Sequence, residues 1–251
     1  MNRRSAGLLL LPILLLSLSF MTVKAHSHYA SESPKVTAFP RSADAQSSFA
    51  TLSPEQQKWV ETTLAQMTLE EKVGQLLFTT YHGSFTASDS ATYAEMMRDV
   101  NDLHVGGFIT ITHGSPLGIV KDQAYPTAVL ANELQSKSKY PLLIGADYER
   151  GTAMRQDEGT SFPTAMALAA AGDRKDAYTM GKITALEARA VGVQWVYAPV
   201  CDVNNNPGNP IINTRSFGED SARVSEYVTE FIRGVQENGA MATAKHFPGH
   251  E

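Results

Sequence analysis

The sequence predicts an α/β protein with a parallel sheet, built as a (β/α)8 barrel that the chain follows for about five β/α units. Two observations support this fold class. Short apolar segments alternate with helical segments from residue 53 onward, which is typical of a parallel sheet covered by helices. Ionisable residues also stand where successive strands are expected to end, and barrel enzymes build their sites at that edge of the sheet.

The helices are predicted from capping signals and from the spacing of apolar residues. Ser53 with Pro54 is an N-cap followed by a first-turn proline, and Thr68 with Glu71 forms a capping box. The clearest amphipathic helix ends at Gly239, and its apolar stripe consists of Val224, Tyr227, Val228, Phe231, Ile232 and Val235. Helical spacing also extends the helix capped by Ser53 over residues 59–67, and it predicts three other helices, over residues 93–103, 121–139 and 173–191.

The strands are predicted from five apolar segments, over residues 74–81, 105–112, 141–149, 193–203 and 240–247. Such a series fits an open doubly wound sheet or a barrel. A dinucleotide-binding doubly wound sheet has a glycine fingerprint after its first strand, and this sequence has none there. The barrel is therefore favoured. Five units reach residue 247, so we expect three more beyond the printed sequence to complete eight.

The first residues are expected to direct export. A basic start at Arg3 and Arg4 precedes an apolar run from Leu8 to Phe20, and Val23 and Ala25 then supply small residues at the two positions that a signal peptidase reads. An uncleaved anchor is the alternative, but the run is short for a span of about 20 residues. We therefore expect a signal peptide over residues 1–25, a flexible tether over residues 26–52 and one domain over residues 53–251. The protein would be periplasmic or extracellular.

The charge of the chain argues against a nucleic-acid partner. The formal net charge is −5, and removal of residues 1–25 makes it more negative because that segment carries three cations and no acids. Nucleic-acid binding needs a basic surface to neutralise phosphates. No apolar run of spanning length follows residue 25, so we expect no stable membrane span after signal cleavage.

Three polar stretches carry the candidate site residues. In "GADYERGTAMR", Asp147 and Arg155 follow a predicted strand, with Glu149 and Arg150 as weaker candidates. A carboxylate can accept hydroxyl hydrogen bonds there, and an arginine can donate a forked pair. The long loop over residues 202–220 lacks apolar periodicity and contains Arg215. Long unstructured loops in compact domains are usually functional.

The third stretch is "KHFPGHE", which begins with Lys245 and His246. His246 and His250 have the spacing of metal ligands on a helix. Pro248 and Gly249 lie between them and disfavour a helix, so no metal site is expected. Lys245 and His246 are instead expected at the end of a strand, facing the site.

These stretches together resemble glycoside hydrolase family 3, and its β-N-acetylhexosaminidase branch in particular. The resemblance rests on "KHFPGH", on "RSFG" about thirty residues earlier, and on "GADYERG" and "SFPTAMALAA" before that. It covers about residues 55–250. The residues after "KH" point to the N-acetylglucosaminidase branch, whereas β-glucosidases of the family diverge there. Glu251 departs from the branch, which usually has glycine at that position.

The resemblance implies a TIM-like barrel and a retaining glycosidase that needs no cofactor. Residues at five positions match substrate-binding positions of the family: Asp147, Arg155, Arg215, Lys245 and His246. It also implies that the catalytic aspartate nucleophile and the acid/base His–Asp pair follow Glu251. No catalytic residue is therefore assigned within the printed chain, and this stretch alone is expected to be inactive.

The expected substrate is a terminal β-linked N-acetylglucosamine, from peptidoglycan or chitin, which places the protein in carbohydrate metabolism. Two alternatives stay open. One is a β-glucosidase-like member of the family. The other is a sugar-binding protein without turnover, since the catalytic groups are expected outside the printed residues.

Overall fold

The structure is a computed structural model that describes residues 52–116 and 118–250. The signal peptide predicted over residues 1–25, almost all of the tether predicted over residues 26–52, and Glu251 lie outside the described residues. Those expectations remain predictions. No helix in the described part of the chain combines the length and the apolar character needed to cross a membrane.

Seven strands occur in the described part of the chain: β1 (Phe78–Tyr81), β2 (Gly107–Thr110), β3 (His113–Ser115), β4 (Gly118–Val120), β5 (Leu143–Ala146), β6 (Trp195–Val196) and β7 (Met241–Ala242). Five of them form one sheet in the order β1-β2-β5-β6-β7, which follows their order in the chain. Every neighbouring pair in this sheet is parallel. A doubly wound sheet reverses its strand order at a switch point, and this sheet does not. The predicted barrel-type α/β fold is confirmed.

Seven α-helices occur among the described residues: α1 (Pro54–Gln66), α2 (Leu69–Gly74), α3 (Ala91–Asn101), α4 (Ala124–Lys137), α5 (Ala165–Ala171), α6 (Lys175–Ala190) and α7 (Ser221–Gln236). Both predicted capping sites are correct. The Ser53 and Thr68 side chains each accept a hydrogen bond from the third helical N–H and complete a capping box. These caps fix where α1 and α2 begin.

Helices α6 and α7 pack closely against each other. Of the apolar stripe predicted on α7, all but Ile232 are buried, and Phe231 is fully so. The two helices approach at a pair of glycines. A Cβ added at Gly181 would lie 2.3 Å from the Phe231 carbonyl oxygen, and one at Gly234 would lie 2.2 Å from the Tyr178 carbonyl oxygen. Only glycine fits at either position.

Helix α1 forms where the sequence predicts it, but none of its residues is buried in the described structure. Trp59 is 56% exposed and Leu64 is 54% exposed. They line an apolar groove with Leu76 and Pro141. The apolar spacing of α1 therefore predicted the helix correctly but did not show what its apolar face contacts.

Three local features were not predicted. Strands β3 and β4 form an antiparallel hairpin after β2, and helix α5 follows the "SFPT" segment. Strand β6 is also much shorter than the strand predicted over residues 193–203, because the regular pairing ends at Val196. Single hydrogen bonds carry the pairing further, such as that from the Cys201 N–H to the Lys245 carbonyl at 2.6 Å.

Candidate functional site

The predicted site residues come from the carboxyl edge of the sheet. Asp147 directly follows β5, and Lys245 follows β7 by three residues. Arg155 follows a short 3-10 turn over Thr152–Met154, and Arg215 ends a second such turn within the predicted long loop. This is the edge at which barrel enzymes place their functional groups.

Five side chains at this edge form a series of alternating charges, which we call the ion-pair chain. In order of contact they are Arg155, Asp147, Lys245, Glu149 and Arg215. Arg155 Nη2 lies 3.3 Å from Asp147 Oδ2, and Lys245 Nζ lies 2.6 Å from Asp147 Oδ1. Lys245 Nζ also contacts Glu149 Oε1 at 2.8 Å. Glu149 in turn accepts a forked pair from Arg215, with Nε at 2.9 Å and Nη2 at 2.8 Å. Four of the five predicted substrate-binding residues are thus brought together.

Glu149 is the centre of the ion-pair chain, although it was only a weak candidate from the sequence. Its side chain is 13% exposed and contacts both Arg215 and Lys245. Burial raises the pKa of Glu149, but the hydrogen bonds from Arg215 and Lys245 outweigh burial and hold the pKa below its usual range. Glu149 is therefore ionised at neutral pH, and it fixes the orientation of two cations.

A cavity of about 320 Å³ opens beside the ion-pair chain. Its lining includes all five members of the ion-pair chain and also Arg150, Met154, Thr164 and Ala165. Donors remain for a ligand. Lys245 uses two of its three N–H groups on Asp147 and Glu149, and Arg215 uses three of its five on Glu149 and the Ile211 carbonyl. The cavity therefore offers cationic donors to a ligand rich in oxygen.

The fifth predicted residue, His246, does not line this cavity. Its Nδ1 lies 2.7 Å from Asp202 Oδ2, and its ring packs edge-on against that of His250 with centroids 4.6 Å apart. Asp202 is a further residue whose role the sequence did not show. Its side chain has no exposed surface, and it follows the β6 segment at the same edge of the sheet.

The long loop over residues 202–220 is held to this edge by its buried serine. Ser216 Oγ donates to the Asp202 carbonyl at 2.6 Å and is fully buried. The Asn204 N–H donates to the Gly218 carbonyl at 2.9 Å. These bonds hold the loop segment from which Arg215 reaches Glu149, and the functional role of the loop stays a prediction.

The residues and their arrangement agree with a comparison against protein families. The glycosyl hydrolase family 3 N terminal domain matches residues 68–251. The chain belongs to glycosyl hydrolase family 3. Its curated relatives include the "Beta-N-acetylglucosaminidase/beta-glucosidase" of Cellulomonas fimi, 38% identical over 192 residues that cover 76% of this chain and 31% of the relative. "Beta-hexosaminidase A" of Pseudoalteromonas piscicida is 36% identical over 121 residues, covering 46% of this chain and 20% of the relative.

Solved structures of the family have the same fold. A "Beta-glucoside phosphorylase BglX bound to 2FGlc" superposes with a TM-score of 0.69 at 31% identity, covering 79% of this chain and 33% of that one. A family 3 β-N-acetylglucosaminidase from Paenibacillus sp. str. FPU-7 gives a TM-score of 0.60 at 37% identity, covering 73% and 34%. This family 3 chain spans between a fifth and two fifths of the length of its first curated relatives.

Chelation is expected to leave the activity of the full-length protein unchanged. The Nδ1 atom of His246 and both carboxylate oxygens of Asp202 already take part in hydrogen bonds with one another or with the backbone. A metal would have to displace these contacts. The measurement is turnover of a chromogenic β-GlcNAc substrate after prolonged dialysis against EDTA. Loss of turnover that Zn²⁺ restores would contradict the expectation.

Proposed function

We propose that this chain contributes the sugar-binding part of an exported, retaining glycosidase that removes terminal β-linked N-acetylglucosamine. The observation that carries the proposal is the ion-pair chain beside the 320 Å³ cavity at the carboxyl edge of the sheet. The names of the relatives support the sugar class, since they include β-hexosaminidases and a β-N-acetylglucosaminidase. Peptidoglycan and chitin are the polymers that would supply such termini.

The chemistry of the cavity suits a hexose with an acetamido group. The remaining N–H groups of Lys245 and Arg215 can donate to hydroxyl oxygens and to the acetamido carbonyl. The Asp147 carboxylate keeps lone pairs that can accept from sugar hydroxyls. Hydrogen bonds of this charged kind are shorter and stronger than neutral ones. In this proposal the side chains hold the sugar, and no cofactor is required.

The proposed reaction is double displacement through a covalent glycosyl-enzyme, which retains the anomeric configuration. In the mechanism that the family resemblance implies, an aspartate is the nucleophile and a His–Asp pair is the acid/base, and we assign none of these roles within the described residues. Within the described residues, the Glu149 carboxylate orients Arg215 and Lys245. The Asp147 carboxylate pairs with Arg155 and Lys245 and can also accept from the sugar, and neither carboxylate is assigned as the nucleophile. Export to the periplasm or the medium is proposed from the sequence at residues 1–25.

Phosphorolysis is a second candidate for the same site, because a β-glucoside phosphorylase is among the most similar solved structures. The cavity also has more cationic than anionic lining groups, since Arg150, Arg155, Arg215 and Lys245 face two carboxylates. Such a lining could accommodate an anionic acceptor near the sugar. A β-glucosidase remains a third candidate, since one relative carries both glycosidase names.

One experiment separates these candidates. The full-length protein is incubated with chromogenic β-GlcNAc and β-glucoside substrates, with and without inorganic phosphate, and the sugar products are identified by mass and by NMR. Free β-anomeric GlcNAc formed first would support the proposal, while sugar 1-phosphate would favour the phosphorylase. Preference for glucoside would favour the glucosidase. Binding of GlcNAc without turnover of any substrate would leave the sugar-binding alternative.

Replacing Arg215 with alanine should lower kcat/KM for β-GlcNAc hydrolysis by about ten- to hundredfold. Loss of one charge-assisted hydrogen bond costs about 1.5–3 kcal/mol, which corresponds to that change in rate. Arg174→Ala is the matched control, because Arg174 is exposed and its ion pair with Glu226 is long, at 3.6 Å. An Arg215→Ala effect no larger than that of the control would remove Arg215 from the site.

A further inference from the structure

The Asp202 carboxylate accepts three hydrogen bonds from one short segment of the chain. Its Oδ2 atom accepts from the His246 backbone N–H at 3.0 Å and lies 2.7 Å from His246 Nδ1. Its Oδ1 atom accepts from the His250 backbone N–H at 2.7 Å. The fit leaves no spare room, since a Cβ added at Gly249 would lie 2.9 Å from Oδ1. The carboxylate therefore fixes the backbone of this segment and one imidazole at once.

The protonation of Asp202 determines what the imidazole can do. Burial raises the pKa of Asp202, but the hydrogen bonds from His250 and His246 outweigh burial and lower the pKa overall. An ionised carboxylate only accepts hydrogen bonds. Since Oδ2 cannot donate, the proton of a neutral His246 ring must lie on Nδ1. The other ring nitrogen, Nε2, is then an acceptor.

The remaining groups around His246 do not compete for Nε2. The His250 ring is edge-on to it, and Cys201 Sγ donates to the His246 carbonyl at 4.0 Å. Within the described residues, no hydrogen bond reaches Nε2, and the His246 side chain keeps 29% of its surface exposed.

Asp202 also connects the two segments that bear the binding residues. Its side chain holds the segment of Lys245 and His246, while its carbonyl accepts from Ser216 Oγ beside Arg215. A shift of Asp202 would therefore move both segments together. This connection is independent of the tautomer argument and depends only on the hydrogen bonds.

We propose that Asp202 is a positioning residue that holds His246 in the Nδ1–H tautomer, so that Nε2 accepts a hydrogen bond from a sugar hydroxyl. The assignment of the sugar as the donor rests on the proposed function. The assignment of the tautomer does not, because it follows from the Asp202 contacts alone. Asp202 acts through His246 and is not itself expected to touch the sugar.

The tautomer can be measured without any substrate. The full-length protein is labelled with ¹⁵N-histidine and examined by NMR at about pH 8, where an ordinary imidazole is neutral. His246 is assigned as the signal lost in His246→Gln. The expected result is a protonated Nδ1 and a bare Nε2, two states that differ widely in ¹⁵N shift. A ring protonated on Nε2, or an equal mixture, would overturn the proposal even if no variant of Asp202 folds.

The second measurement uses Asp202→Asn, with Asp99→Asn as a matched control because Asp99 is a buried aspartate on α3. The substitution replaces one carboxylate oxygen, which accepts hydrogen bonds, with an amide NH₂ group, which would face the N–H groups of His246 or His250. We expect a lower Nδ1–H fraction and a GlcNAc dissociation constant raised about tenfold, with neither change in the control. Unchanged tautomer and affinity in Asp202→Asn would overturn the proposal.

Addition of GlcNAc to the wild-type protein tests the sugar contact of Nε2 separately from the tautomer of His246. A shift of the His246 Nε2 signal on saturation supports the sugar contact. A protein with the expected tautomer that binds no GlcNAc would overturn the proposed function and the sugar contact, while supporting the hold of Asp202 on His246. Binding without any Nε2 shift would overturn the sugar contact alone.

Discussion

Replacing Glu149 with glutamine is expected to lower kcat/KM for β-GlcNAc hydrolysis by about a hundred- to a thousandfold. The glutamine has nearly the same shape but removes the charge that faces Arg215 and Lys245, and its amide group would direct donors at donors. Losing the orientation of two charged donors to the sugar, Arg215 and Lys245, costs about 1.5–3 kcal/mol for each hydrogen bond, which gives a rate change of this order. The side chains of Glu149 and Lys245 are only 13% and 15% exposed, so solvent screens the pair little.

The measurement compares Glu149→Gln with Glu226→Gln in the full-length protein, using steady-state kinetics and thermal unfolding. Glu226 is exposed and pairs weakly with Arg174, so its substitution should change kcat/KM by less than about twofold, the range of neutral surface changes. A Glu149→Gln variant that keeps wild-type kcat/KM would show that Arg215 and Lys245 do not need this carboxylate for binding.

Substituting either glycine between α6 and α7 is expected to destabilise the protein. Alanine normally improves a helix over glycine, but a Cβ at Gly181 or Gly234 would collide with a backbone carbonyl oxygen. We expect about 1–3 kcal/mol of destabilisation for Gly181→Ala and about 3 kcal/mol or more for Gly181→Val, because overpacked backbone cannot move aside easily. The unfolding temperature should fall by about 2–4 °C for each kcal/mol.

Gly114→Ala provides the control for this experiment, because a Cβ at Gly114 would meet nothing within 4 Å. Its unfolding temperature should stay the same or rise slightly. If Gly181→Ala also raised the unfolding temperature, helix propensity would outweigh packing, and the close approach of α6 and α7 would be wrong.

The sequence predicted those features that depend on local patterns. Ser53 and Thr68 begin helices because their side chains satisfy nearby N–H groups. The apolar stripe of α7 predicted its buried face. Asp147 and Lys245 could be assigned to the site because parallel strands bring their carboxyl ends together.

The features that were missed depend on contacts between distant residues. Nothing near Glu149 indicates that its partner is Arg215, 66 residues away. The role of Asp202 likewise depends on N–H groups that lie 44 and 48 residues further along the chain. The length of strand β6 was overestimated because apolar composition does not reveal that regular pairing ends at Val196. The exposed face of α1 shows the same limit, since periodicity predicts a face but not its partner.

The ion-pair chain spans strands that do not touch. In the sheet β6 lies between β5 and β7, yet Lys245 after β7 reaches over it to Asp147 after β5. The charges therefore connect the ends of β5 and β7 directly, beyond the last regular strand pair between β6 and β7. A substitution of Asp147 or Lys245 would therefore weaken the contact between the ends of β5 and β7 as well as the proposed sugar binding. Because each of these two residues serves both stability and binding, fewer substitutions should be tolerated at either position than one role alone would allow.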